Sequence, residues 1–94
     1  MIKQYYLYIM SSINWVLYIW ITNNLERRIY EHKNEISDWF TKKYKCKKLI
    51  YYELWNNINE IIAREKQLKK WNKNKKLELI KTLNPNMIDL NFKL

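Results

Sequence analysis

Two short runs of aromatic and β-branched residues, Tyr5–Met10 and Val16–Thr22, stand only five residues apart. Runs of this kind form strands, and so short a gap leaves an antiparallel hairpin as the way to join them. Ser11-Ser12-Ile13-Asn14-Trp15 is then the hairpin loop. In the second strand Leu17, Ile19 and Ile21 share one face, and Tyr18, Trp20 and Thr22 share the other. A loop centred on Ile13 sets Tyr8 opposite Tyr18, with Cβ atoms about 5 Å apart. Two phenol hydroxyls then converge on the face away from Leu17 and Ile19. The plain reading of that pair is a tyrosine ladder that stabilises a sheet.

The rest of the chain supplies one more strand and three helices. Asn23 or Asn24 caps a helix over about Leu25–Lys33. Asn34–Lys47 reads as a polar, basic loop, and Lys48–Leu54 as a third strand. Asn57 caps a long helix over about Ile58–Trp71, and a shorter one runs from about Asn74 to Leu83, with Pro85 marking its end. The order β-β-α-β-α-α predicts an α+β fold with helices packed on the sheet. No linker or repeat divides the chain, so its 94 residues are expected to form a single domain, 1–94.

The long helix carries a misfit. Ile58, Ile61, Ile62 and Leu68 form one apolar stripe, and Glu65 falls in the middle of it. A carboxylate without a partner there would cost several kcal/mol. A lysine, an arginine or a metal ion must stabilise it, and an internal salt bridge to Arg28 or a lysine is the plain alternative. On the first helix Leu25 and Ile29 face the core, and Arg28 and His32 lie one turn apart beside that stripe. Each alone reads as a surface charge or a packing histidine. Together, Tyr8, Tyr18, Arg28, His32 and Glu65 could line one cleft offering a general base, a phosphate clamp and a hard-metal ligand.

The formal charge of +9, from 18 Lys and Arg against 9 Asp and Glu, suits a polyanionic partner. Lys42, Lys43, Lys45, Lys47 and Lys48 form one basic run, and Lys66, Lys69, Lys70, Lys73, Lys75 and Lys76 another, with Trp39, Phe40, Tyr44 and Trp71 interleaved. Phosphate-backbone contact is the economical reading of both. The longest apolar run, Trp15–Ile21, falls far short of the roughly 20 residues that span a bilayer. The first residues lack signal-peptide architecture, so a cytoplasmic location is expected. One cysteine, Cys46, allows no internal disulfide and indicates a reducing compartment. One cysteine and one histidine cannot make a Cys/His zinc site within the chain.

Tyr6-Leu7-Tyr8-Ile9-Met10, followed by Leu17-Tyr18-Ile19-Trp20-Ile21-Thr22-Asn23-Asn24-Leu25-Glu26-Arg27-Arg28 and then His32, resembles the GIY-YIG nuclease domain. Phe40-Thr41-Lys42-Lys43-Tyr44 and Ile62-Ala63-Arg64-Glu65-Lys66-Gln67-Leu68-Lys69-Lys70-Trp71 narrow the likeness to its small stand-alone bacterial branch. That branch is similar to the nuclease module of the bacterial excinuclease, and the likeness covers a core of about residues 3–90. The resemblance implies a three-stranded antiparallel sheet flanked by helices, and a DNA endonuclease whose substrate is structure-specific or linked to repair. It implies catalytic roles for Tyr8, Tyr18, Arg28 and His32, with Tyr8 foremost for handling the attacking water. It implies one Mg²⁺ or Mn²⁺ held by Glu65, while the basic runs put DNA contacts on Lys42, Lys43, Lys45, Lys66, Lys69, Lys70 and Lys73. A protein partner for targeting stays open.

The departures from that pattern share a feature. Trp20 ends the second motif where glycine is expected, Trp15 stands where a hairpin carries glycine after Asn, and Trp39 precedes Phe40 where relatives commonly have glycine. The chain holds no glycine, where average usage predicts about six or seven. UGA codons translated as tryptophan in place of glycine would account for all three positions, and the coding DNA decides the matter. Trp71 fits the family pattern and Trp55 stands in for another aromatic. If Trp20 is genuine, its indole lies where substrate approaches, and the alternative is a catalytically impaired basic DNA-binding module.

Overall fold

The computed structural model describes residues 3–36 and 39–90. The chain runs β1 (Tyr5–Ser11), β2 (Leu17–Thr22), α1 (Leu25–Lys33), α2 (Trp39–Tyr44), β3 (Lys48–Trp55), α3 (Ile58–Lys70) and α4 (Lys73–Leu83). The three strands form an antiparallel sheet in the order β2-β1-β3, so β1 is the central strand. The β-β-α-β-α-α order holds, with the short helix α2 added inside the stretch read as a loop. Its sequence, Trp-Phe-Thr-Lys-Lys-Tyr, has few strong helix formers and little length to show a period. Tertiary contact stabilises it instead, through buried Thr41 and through Phe40 packed beneath β2.

The hairpin register differs from the expected one. Tyr8 pairs with Trp20, and Met10 with Tyr18, so the loop centres on Asn14 rather than Ile13. Ser12 is the reason: its amide donates to Val16 O at 3.0 Å, and its Oγ accepts from the amides of Asn14 (3.1 Å) and Val16 (3.0 Å). The loop closes through Trp15, whose φ of 62° is left-handed. Three-residue hairpin loops use that conformation at their third position, where glycine is favoured because it lacks a Cβ. Trp20 and Trp39 lie in ordinary strand and helix. Backbone conformation therefore calls for glycine at Trp15 alone among the three. The register offset is two residues, an even number, so every side chain keeps the face read from the sequence.

Each face of β1 is covered. Leu7 and Ile9, with Ile19, Ile50 and Tyr51, pack against Ile61 and Leu68 of α3 and Ile80 of α4. Tyr8 and Met10, with Leu49 and Cys46, pack against Leu25 and Ile29 of α1. Asparagines start the helices: the side chains of Asn24, Asn57 and Asn72 accept backbone N–H bonds at the first turns of α1, α3 and α4. Asn84 closes α4, and its buried amide donates to Ile50 O at 3.0 Å and Ile88 O at 2.7 Å, tying the C-terminal segment to β3.

Candidate active site

The side chains that β1 and β2 turn away from the aliphatic core meet those that α1 turns toward the sheet. Tyr8 is fully buried, and its hydroxyl lies 2.9 Å from His32 Nε2. Arg28 Nε donates to the same hydroxyl at 3.3 Å. Guanidinium can only donate, so the tautomer of His32 decides which way the proton lies in the Tyr8–His32 bond. Tyr18 completes the group, with its ring centroid 6.3 Å from Tyr8 and 5.3 Å from His32. Tyr8, Tyr18, Arg28 and His32 are thus brought together by three elements.

The one-turn spacing on α1 explains why the pair from that helix reaches one phenol. Arg28 and His32 project over the same side of the helix, which Leu25 and Ile29 anchor to the sheet. Arg28 Nη1 also donates to Glu31 at 2.8 Å, a residue the sequence reading did not single out. Burial would by itself lower the Arg28 pKa. The hydrogen bond and charge of Tyr8, joined by Glu31 and Tyr18, outweigh burial and hold it above its ordinary value. The guanidinium is a permanent positive charge fixed on the Tyr8 hydroxyl.

The depths of the two phenols differ. Tyr8 lies inside the domain, whereas Tyr18 is part-exposed on the outer strand β2. Its ring stacks with Trp20 (6.3 Å, 28°) and with Phe40 of α2 (5.9 Å, 27°). A water arriving from solvent meets Tyr18 first, whereas the family resemblance put Tyr8 foremost for that task.

Glu65 is carried by α3, a fourth element. The body of α3 packs on the aliphatic side of the sheet, opposite the phenols. Its link to them runs around the β2 margin, where Lys69 Nζ lies 3.9 Å from the centre of the Trp20 ring. Lys69 also pairs with Glu65 at 3.4 Å. The Glu65 side chain is only 13% exposed, as its place in the apolar stripe requires, and an ammonium group supplies the charge partner. Among the described residues no group of three or more His, Cys, Asp or Glu side chains is placed to hold a metal. Glu65 would therefore be a lone protein ligand. That fits Mg²⁺, which commonly keeps several waters beside one or two carboxylates. The Lys69 pair is the plain alternative read from the sequence, and a metal would have to compete with that ammonium for the carboxylate.

The predicted lysines divide by environment. Lys42 and Lys43 belong to α2 beside Phe40, and Lys43 Nζ lies 4.7 Å from the Trp39 ring centre. Lys45 is paired with Glu35. Lys66, Lys70 and Lys73 are exposed on α3 and at the start of α4.

A second polar cluster, not anticipated from sequence, lies on the α3 side. The Glu53 carboxylate accepts from Arg64 Nη2 at 2.8 Å, Tyr51 Oη at 2.6 Å and Trp55 Nε1 at 2.9 Å. Burial pushes the Glu53 pKa up, but these donors outweigh it and hold it below the usual carboxylate range. The cluster borders a cavity of about 880 Å³. The alternation Tyr51-Glu53-Trp55 on β3 was its only sequence signal. Its acid is saturated with donors, so the cluster reads as a brace between β3 and α3.

Comparison with known proteins yields a consistent set of likenesses. The family model described as the GIY-YIG catalytic domain matches residues 4–78. A UPF0213 protein of Clostridium perfringens is 40% identical over 75 residues, covering 80% of this chain and 81% of that one. A UPF0213 protein of Syntrophus aciditrophicus is 34% identical over 77 residues, covering 81% and 88%. The solution NMR structure of a UPF0213 protein from Bacillus halodurans superposes with a TM-score of 0.59 at 20% identity, covering 88% of each chain. That last likeness establishes the fold.

Proposed function

The chain belongs to the GIY-YIG catalytic domain family, and from that membership we propose that it is an endonuclease that hydrolyses DNA phosphodiester bonds with one divalent cation, Mg²⁺ or Mn²⁺. The observation that carries the reading is the Arg28 guanidinium, held by the Tyr8 hydroxyl at 3.3 Å beside His32 and Tyr18. A fixed cation with two phenols and an imidazole around it suits a phosphoryl group that gains charge during reaction.

In this reading the scissile phosphate sits outside Tyr18, against Arg28. Arg28 neutralises the charge developing on the non-bridging oxygens. Tyr18 orients the attacking water. Tyr8, buried behind it, is a positioning residue that sets Arg28 and His32. Glu65 would hold the cation at the β2 margin; when bound, the cation supplies charge stabilisation for the leaving 3′ oxygen. Lys42, Lys43, Lys66, Lys69, Lys70 and Lys73 attract the backbone, and Lys45 joins them where the phosphate displaces Glu35. A structure-specific or repair-linked role and a cytoplasmic setting belong to the same reading. Among the described residues no helix is long and apolar enough to cross a membrane.

The test is cleavage of duplex, branched and single-stranded DNA with Mg²⁺ or Mn²⁺, against chelator. Cleavage abolished by Arg28→Ala, Tyr18→Phe and Glu65→Gln, with DNA binding retained, is the expected result. Binding without cleavage in either metal would overturn it. One observation favours the second reading, the impaired DNA-binding module: Trp20 is stacked on Tyr18, is 43% exposed and carries Lys69 over its ring. Cleavage that appears only in Trp20→Gly would establish that reading.

A further inference from the structure

The surroundings of Tyr18 bear on which DNA this site takes, an inference that rests on the endonuclease reading. Next to Tyr18 lies a cavity of about 310 Å³, walled by Tyr18, Trp20 and Phe40 and rimmed by Lys69 and Lys76. Four elements, β2, α2, α3 and α4, meet there. From Tyr18 a row of rings runs outward along α2: Tyr18 to Phe40 at 5.9 Å, then Phe40 to Tyr44 at 4.8 Å. Trp39, on the same helix, is 67% exposed, and Lys43 Nζ lies 4.7 Å from its ring centre and 5.4 Å from that of Tyr44.

A surface that grips only paired DNA has use for the lysines but not for the rings. A duplex presents phosphates outward and keeps the faces of its bases stacked on one another. Unpaired bases present those faces, and aromatic side chains alternating with lysines are the chemistry that binds them. The cavity is large enough for a flat group of the size of the indole in its wall. We propose that the strand held at this site is unpaired, with a base beside the scissile phosphate seated in this cavity against Trp20 and Phe40 and further bases stacking along α2. The substrate class is then single-stranded DNA or the single-stranded arm of a flap or fork.

Fluorescence anisotropy at fixed salt, with chelator present to prevent cleavage, tests this with three oligonucleotides of equal length: a single strand, a flap and a continuous duplex. The wild-type chain should bind the single strand and the flap at least tenfold more tightly than the duplex. Phe40→Leu keeps the apolar volume and removes the ring. It should reduce that preference about tenfold, the scale of one lost base–aromatic stack. A 2-aminopurine in the unpaired arm should change emission on binding, and Phe40→Leu should abolish the change. Equal binding of duplex and single strand, or a preference unchanged in Phe40→Leu, would overturn the proposal. Where circular dichroism shows Phe40→Leu unfolded, Trp39→Ala on the exposed side of α2 supplies the same comparison. Failure of the endonuclease reading looks different: binding of unpaired DNA by the wild-type chain with no cleavage in Mg²⁺ or Mn²⁺.

Discussion

Tyr8→Phe removes one oxygen, and the structure allows its consequences to be separated. The lost hydroxyl lies 2.9 Å from His32 Nε2, and both residues are buried. No water reaches His32 to replace that bond, so a buried polar nitrogen loses a partner, at a cost of about 1–3 kcal/mol. Arg28 loses a weaker bond of 3.3 Å, but its side chain is 21% exposed and keeps Glu31. Water can satisfy the freed donor, so this adds little. The total is about 2 kcal/mol, which in a domain of this size lowers Tm by about 8–16 °C. Thermal melting followed by circular dichroism measures it, with urea titration as a second route.

Tyr18→Phe is the companion. Tyr18 is part-exposed, so its stability loss should be under about 1 kcal/mol, a Tm change of a few degrees. If Tyr18 meets the water and Tyr8 only positions its neighbours, cleavage by Tyr18→Phe should fall at least about hundredfold. Tyr8→Phe should lose cleavage and stability together. Its remaining activity should show a raised KM, from a misplaced Arg28, as well as a lowered kcat. A Tyr8→Phe protein that melts within about 2 °C of wild type would refute the burial argument. A Tyr18→Phe protein that cleaves at the wild-type rate would refute the assignment of the outer phenol.

The ion pair between Lys69 and Glu65 predicts that Lys69→Gln binds Mn²⁺ about tenfold more tightly, because a competing positive charge near the carboxylate is gone; titration calorimetry reads this, and unchanged affinity would remove Glu65 from the metal site. Glu53→Gln should cost about 2 kcal/mol, since it strips a part-buried guanidinium of its bidentate acceptor, while cleavage at equal folded concentration stays at wild-type level because the cluster lies behind the sheet. The Glu53 pKa is depressed in the folded state, so its stabilisation is complete above the unfolded value near 4.5 and is lost as pH falls through the folded value. Acid melts below about pH 4.5 should therefore show a steep loss of Tm in wild type that is shallower in Glu53→Gln. The Tyr51 pKa is raised, chiefly by burial and then by Glu53, so the opposite slope applies above about pH 10: the unfolded chain ionises first and stability declines. Absorbance of the phenolate during alkaline titration checks that order.

Several parts of this protein were legible because their causes are local. Aromatic and β-branched content in Tyr5–Met10 and Val16–Thr22 gave the strands, alternation gave their faces, asparagine caps marked the starts of α1 and α3, and Glu65 announced itself by sitting in an apolar stripe. The one-turn spacing of Arg28 and His32 placed both on one side of α1 before any partner was known. Each of these follows from the period of a helix or a strand, which residue order carries directly.

Other features depend on groups far apart in the chain. The loop centre moved by one residue because the Ser12 side chain and a left-handed Trp15 closed the turn around Asn14, a balance of hydrogen bonding against backbone strain that alternation does not report. α2 exists through its packing on Tyr18. The depth of Tyr8 below Tyr18 follows from β1 being central and β2 outer. Lys69 reaches Trp20 only because α3 lies along the β2 margin. Residue order alone determined which side chains share a face and that a carboxylate would need a cation. Which cation it holds, and which phenol faces solvent, were decided by the stacking of layers, because burial and charge pairing are properties of neighbours in space.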